Sequence, residues 1–170
     1  MKVTMAGGVA GSPPNRLVLK TLGQQHTRNE ILRRLRRLRA DSPRRWGRMS
    51  AHQMVCHLSD CFRMAMGEKR VSDAAGVFQR TVVKWIALYI PARWPPGLVT
   101  RPEIDQHLEG TSPGDFADDV AELERLTELF TTLGKDFDWP PHPIFGRISQ
   151  AAWQRWGYRH MDHHLRQFGV

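Results

Sequence analysis

Two cysteines in 170 residues leave little room for a disulfide-stapled fold. Cys56 and Cys61 are five apart in one expected helix and point in different directions, so a local bridge between them is sterically poor. That usage fits a reducing, cytoplasmic setting. No apolar run is long enough to span a bilayer; the most apolar stretch, residues 77–90, is interrupted by Arg80 and Lys84. Residues 1–15 hold glycine, serine and a proline pair but no signal-peptide core, and read as a loose leader before one helical domain over residues 16–170. Also missing are a glycine-rich phosphate loop, a Gly-x-Ser-x-Gly elbow and a His-Glu-x-x-His motif, so sites built on those motifs are not expected.

Acidic residues are outnumbered, 17 against 25 lysines and arginines, and the formal net charge is +8. Such a balance raises nucleic acid or an acidic surface as a partner. The excess is densest at Arg33, Arg34, Arg36, Arg37 and Arg39, which interleave with Ile31, Leu35 and Leu38. That is the pattern of a solvated face on an amphipathic helix, so nucleic acid is not the expected partner. A chain of this length buries an apolar core without metal or disulfide support.

What is present is helical punctuation. Thr27-Arg28-Asn29-Glu30 reads as a capping box opening a first helix that should run to about Ala40, before Asp41-Ser42-Pro43. Ser50-Ala51-His52-Gln53 repeats the signal for a second helix, in which Met54, His57, Leu58, Cys61, Phe62 and Ala65 form the inward stripe. Residues 75–90 have helical composition, and Pro91, Pro95, Pro96 and Pro102 then force an irregular crossover that can wall a pocket. Ser112-Pro113 should open a third main helix, with Asp115, Asp118 and Asp119 placed by the helix dipole. Ser149 should cap a fourth, with an inward stripe at Trp153, Gly157, His160, His164 and Phe168. Four main helices with one long connection predict an all-α bundle.

Histidine carries the chemistry. His160 and His164 lie one turn apart on one helix face, and His57 sits on an apolar stripe of the second helix. Three neutral imidazoles converging in a bundle core suit a divalent metal with an open position. His160 and His163 are also correctly spaced for a shared ion, but the inward stripe favours His160 and His164 and leaves His163 towards the edge. Asp60, one turn from His57, can orient a ligand ring; Asp162 should face away. His142, in a proline-fixed loop, is a candidate fourth ligand or proton-transfer residue. Cys56 and Cys61 read as buried structural thiols, and His26 and His52 as solvent-facing.

Trp46-Gly47-Arg48-Met49-Ser50-Ala51-His52-Gln53-Met54 with His57-Leu58, then His142-Pro143-Ile144-Phe145-Gly146, then His160 to Gly169 resemble the DinB-like superfamily. Within it the chain is most similar to a subgroup of unknown function with a C-terminal His-x-x-His-His-Leu-Arg-Gln-Phe-Gly motif. The resemblance implies an up-down-down-up four-helix bundle, often dimeric, holding a zinc- or nickel-type ion through His57, His160 and His164. It also implies kinship with metal-dependent transferases that use low-molecular-weight thiols such as bacillithiol or mycothiol, and with maleylpyruvate isomerase-like enzymes. The loop at 142–146 and the proline-rich crossover depart from the general pattern and should shape the pocket.

The first expectation is therefore a metal-dependent thiol S-transferase acting on a small electrophile, with Arg93, Trp94 and Arg101 as candidates for holding an acidic cosubstrate. The alternatives are a metal-dependent hydrolase on the same histidines, or a non-catalytic, stress-associated DNA-binding module using the basic first helix.

Overall fold

The computed structural model describes residues 19–74 and 76–170. The leader expected at 1–15, the first three residues of the domain expected from 16, and the expected start of the crossover helix at residue 75 lie outside the described residues. The described residues form five α-helices: α1 (Gln25–Leu35), α2 (Ala51–Ala65), α3 (Lys84–Tyr89), α4 (Phe116–Thr132) and α5 (Gln150–Gln167). No strand occurs among the described residues, and none of their helices is long and apolar enough to cross a membrane.

Contacts along the helices give their directions. The Leu22 amide, just before α1, bonds the Gln154 carbonyl at 3.1 Å, and Arg34 near the end of α1 meets Asp162 at 2.7 Å, so α1 and α5 run parallel. His52 meets Asp119 and Phe62 meets Phe130, so α2 and α4 are parallel too. Phe62 against Trp156 and His57 against His160 make α2 and α5 antiparallel. The result is an up-down-down-up bundle of α1, α2, α4 and α5. Parallel neighbours cannot be joined by a tight turn, which is why a long crossover separates α2 from α4.

Two helix starts follow the sequence grammar. Ser50 accepts from the Gln53 amide and Gln53 reaches back to the Ser50 amide, a complete capping box, while Ser149 accepts from the Ala152 amide. Two others differ. α1 starts two residues before Thr27, which is fully buried and donates its hydroxyl to the Gln24 side chain instead of capping. It ends at Leu35, short of Ala40, and continues as turns. α4 starts at Phe116 because Asp115, not Ser112, takes the free amides of Ala117 and Asp118.

Leu22, Ile31, Leu35, Met54, Leu58, Phe62, Leu123, Leu126, Phe130, Trp153 and Met161 form the closed centre of the core. Basic residues of the first helix are spent on its neighbours: Arg28 pairs with Glu128, Arg34 with Asp162 and Arg36 with Glu124.

The crossover continues the helical region ahead of α3 as a π-turn over Gln79–Val83, then contains a 3-10 turn, Pro102–Ile104. α3 packs on α5, and the Arg159 guanidinium holds the carbonyls of Ile90 and Ala92. The Trp94 indole donates to the Ala87 carbonyl at 3.0 Å. Further along, the fully buried Asp60 carboxylate accepts from the Thr111 amide at 2.8 Å, the Thr111 hydroxyl at 2.7 Å and Gln106 at 3.1 Å, and pairs with Lys69 at 3.0 Å. These anchors stretch the crossover over the seam between α2 and α5.

Candidate metal centre

The seam is where the histidines meet. His57 on α2 faces His160 and His164 on α5, with ring centroids 5.2 Å and 4.9 Å away, and the latter two rings are 4.9 Å apart. His57 and His164 are buried, while His160 is partly buried. On α5 the rings of His160 and His164 both face His57, while the ligand atoms within 4.8 Å of one another belong to His57, His160 and Cys61. His163 turns aside, buried between Trp46 and Trp94 with its Nδ1 lacking a hydrogen-bond partner, and contacts His164 at 5.1 Å.

Two backbone carbonyls fix how the rings present themselves. The Ile104 carbonyl lies 2.7 Å from His57 Nδ1 and can only accept, so Nδ1 carries the proton and Nε2 offers its lone pair. The Trp46 carbonyl accepts from Gln167 Nε2 at 2.9 Å, which turns the amide oxygen towards His164 Nδ1, also at 2.9 Å. His164 Nδ1 therefore donates as well. This is the arrangement that orients metal-ligating imidazoles. Asp60, the expected orienting group for His57, instead anchors the crossover; the Ile104 carbonyl performs that task.

Burial is the main force keeping these rings neutral. It lowers the pKa of His57 against the pull of the Ile104 carbonyl, and lowers those of His160 and His164 further, with neighbouring histidines adding to the effect. Neutral imidazole is the form that binds a cation. The His57 Nε2 and His160 Nε2 atoms stand 3.3 Å apart. Two nitrogens each about 2.0–2.1 Å from a tetrahedral zinc ion would be about 3.3–3.4 Å apart, so the His57–His160 pair fits such an ion.

Above the histidines opens a cavity of about 540 Å³. Its walls are mostly apolar, with Ile86, Leu98 and Val99 from the crossover and Phe145 and Trp156 opposite. Trp94 and Arg101 also line it; Arg93 lies on a separate depression beside Pro91.

His142 belongs to the same cavity, in a loop closed by paired backbone bonds between His142 and Gly146 at 2.8 and 2.9 Å. The turn requires a positive φ at Gly146, +67°. His142 Nδ1 accepts from the amides of Ile144 and Phe145 at 3.1 and 3.2 Å, and its ring stacks on Phe145 at 4.3 Å. Burial lowers its pKa to about 3. The ring is thus neutral with its proton on Nε2. Ligation through that nitrogen would require moving the proton to Nδ1 and breaking both amide bonds, so the geometry suits a hydrogen-bond donor better than a fourth ligand.

Two observations were not anticipated. Cys61, one turn from His57 on the same face of α2, joins His57 and His160 in a group whose ligand atoms all lie within 4.8 Å of one another. The i, i+4 spacing was visible, but cysteine on an apolar stripe is ordinarily packing. A second group of this kind is His52, Cys56 and Asp119. His52 is bonded to Asp119 at 2.7 Å rather than solvent-facing, and Asp119 also accepts from the Gly114 amide at 2.9 Å and from Cys56 at 3.5 Å. Burial and the Asp119 charge raise the Cys56 thiol to about 12, so it remains protonated. This second group ties the starts of α2 and α4 together.

Fold and site together define an all-helical bundle protein with buried histidine and cysteine groups able to hold a metal ion. The model of the family described as Protein of unknown function (DUF1569) matches residues 20–169, and the chain belongs to that family. No curated protein and no solved structure matches it.

Proposed function

We propose that this protein is a divalent-metal-dependent enzyme of the DinB-like superfamily that joins a low-molecular-weight thiol to a small electrophilic substrate. The observation that carries the reading is the convergence of three neutral imidazoles, two with Nε2 atoms 3.3 Å apart, beneath an apolar cavity of about 540 Å³. His57, His160 and His164 hold the ion, zinc or nickel by their donor type. When bound, the ion supplies the positive charge that makes a thiol or water acidic near neutral pH.

The remaining roles fall to the chain's own residues. Trp94, Phe145 and Trp156 exclude water and pack the apolar part of the substrate. His142 Nε2–H donates to a substrate oxygen, and Arg101, the one lysine or arginine on the cavity wall among the described residues, holds an acidic group of the cosubstrate. In the reaction the thiol sulfur bonds to the electrophilic carbon and gives up its proton to solvent; the halide of an aryl halide departs with the bonding pair, whereas the oxygen of an opened epoxide keeps that pair and takes up a proton. The buried, unbridged cysteines fit a cytoplasmic site of action. A DNA-binding role has less support, because Arg28, Arg34 and Arg36 are engaged with acidic side chains of α4 and α5.

The test is product analysis on metal-loaded protein offered epoxides and activated aryl halides, with and without a low-molecular-weight thiol. Thiol-dependent adducts that disappear in His160→Ala are expected. Water adducts formed without thiol would assign hydrolysis instead, and turnover unaffected by His160→Ala would remove the centre from the reaction.

A further inference from the structure

The Cys61 sulfur lies on the floor of the cavity beside the three histidines. It is 3.6 Å from His57 Nε2 and 3.9 Å from His57 Nδ1. In a tetrahedral centre with sulfur at about 2.3 Å and nitrogen at about 2.0–2.1 Å from zinc, the two ligand atoms are about 3.5–3.6 Å apart. One ion therefore satisfies both the sulfur–nitrogen spacing and the 3.3 Å between His57 Nε2 and His160 Nε2.

Hydrogen bonding alone accounts for this cluster poorly. His57 Nδ1 is committed to the Ile104 carbonyl, which leaves Nε2 a single in-plane lone pair. That lone pair can accept from His160 or from the Cys61 thiol, not fully from both, yet both crowd it. A cation between the three atoms takes a lone pair from each. Cys56, one residue before His57, makes the contrast: its sulfur turns away to Asp119.

We propose that Cys61 is a thiolate ligand of the centre, completing a three-histidine, one-cysteine donor set with His57, His160 and His164. The inference rests on the metal-centre reading above and changes its character. A thiolate favours zinc and cobalt over magnesium and manganese. Four protein ligands also leave no open position until the sulfur departs or the coordination expands. On ligation the thiol proton is released to solvent.

The test is cobalt(II) titration of the chelator-stripped full-length chain, read by absorption spectroscopy. Visible ligand-field bands report a bound ion, whereas a near-ultraviolet sulfur-to-cobalt charge-transfer band reports a thiolate ligand. Both are expected in wild type and in Cys56→Ser; Cys61→Ser should keep the visible bands and lose the charge-transfer band. Zinc-edge X-ray absorption of wild type, which needs no variant, should show a sulfur neighbour at about 2.3 Å. Visible bands without charge transfer or a sulfur shell would overturn the Cys61 assignment while leaving the histidine centre standing. Absence of any cobalt spectrum, together with no zinc bound, would overturn both.

Discussion

Acid should loosen this protein through His142 in a way that one substitution exposes. The ring is neutral in the fold because burial lowers its pKa to about 3, from an ordinary value of 6.5. A group whose folded pKa is depressed favours the unfolded state once it can be protonated there. Its contribution is therefore intact above about pH 6.5 and is lost progressively as pH falls towards 3. At about 1.36 kcal/mol for each unit of separation, and allowing for partial protonation at pH 7, moving from pH 7 to pH 5 costs about 2 kcal/mol through this residue alone. His142→Asn puts an amide oxygen near the position of Nδ1, retaining an acceptor for the Ile144 and Phe145 amides while abolishing titration. The assay is urea unfolding of chelator-treated protein at both pH values, since bound metal would add its own pH dependence. Wild type should lose about 2 kcal/mol more than His142→Asn between pH 7 and pH 5. Equal losses in the two proteins would show that His142 is already protonated in the fold or that its burial is wrongly described.

Two further substitutions probe the support of the site and the packing beneath it. Gln167→Leu removes the acceptor of His164 Nδ1 and the tie to the Trp46 carbonyl; zinc affinity measured by chelator competition should weaken by roughly 10–100-fold, as it does when such orienting partners are removed. Gly157→Ala would place a Cβ 2.8 Å from Leu22 Cδ1, 3.2 Å from Phe130 Cε1 and 3.4 Å from Phe62 Cε1. Overpacking of about 1–3 kcal/mol should outweigh a helix-propensity gain of at most about 1 kcal/mol, lowering Tm by a few degrees in a thermal melt; an unchanged or raised Tm contradicts that contact.

Much of the bundle was legible because its signals are local. Ser50 with Gln53, and Ser149, each act within one helical turn, and the apolar stripes of α2 and α5 follow helical spacing. Thr27 shows the limit of that grammar: Thr-x-x-Glu is present, but docking of Leu22 on Gln154 and burial of Thr27 draw the helix start upstream. Asp115 shows another, since Ser112 offered an equally acceptable cap on paper and only the path of the chain decided between them.

The site divides along the same line. His57, His160 and His164 could be brought together from face and spacing, and Gln167 is one turn from His164, whereas the two backbone carbonyls that set the rings come from far away in sequence. The Ile104 carbonyl belongs to the crossover, 47 residues from His57, and a backbone carbonyl leaves no mark in sequence pattern. Asp60 had the right residue type for an orienting role, but the anchoring bonds from Thr111, Gln106 and Lys69 claim it. For His142, proximity to the cavity was readable from its loop, while the two amides that fix its proton on Nε2 required the folded turn.

The most direct test of the central claim is the metal content of purified, untagged protein by elemental mass spectrometry, in wild type, His57→Ala and His160→Ala. The account predicts about one equivalent of a divalent metal in wild type, lost in both variants because each removes a ligand of the same ion. No metal in wild type, even after reconstitution with zinc, nickel or manganese, would contradict it and return the histidines to the core as packing residues.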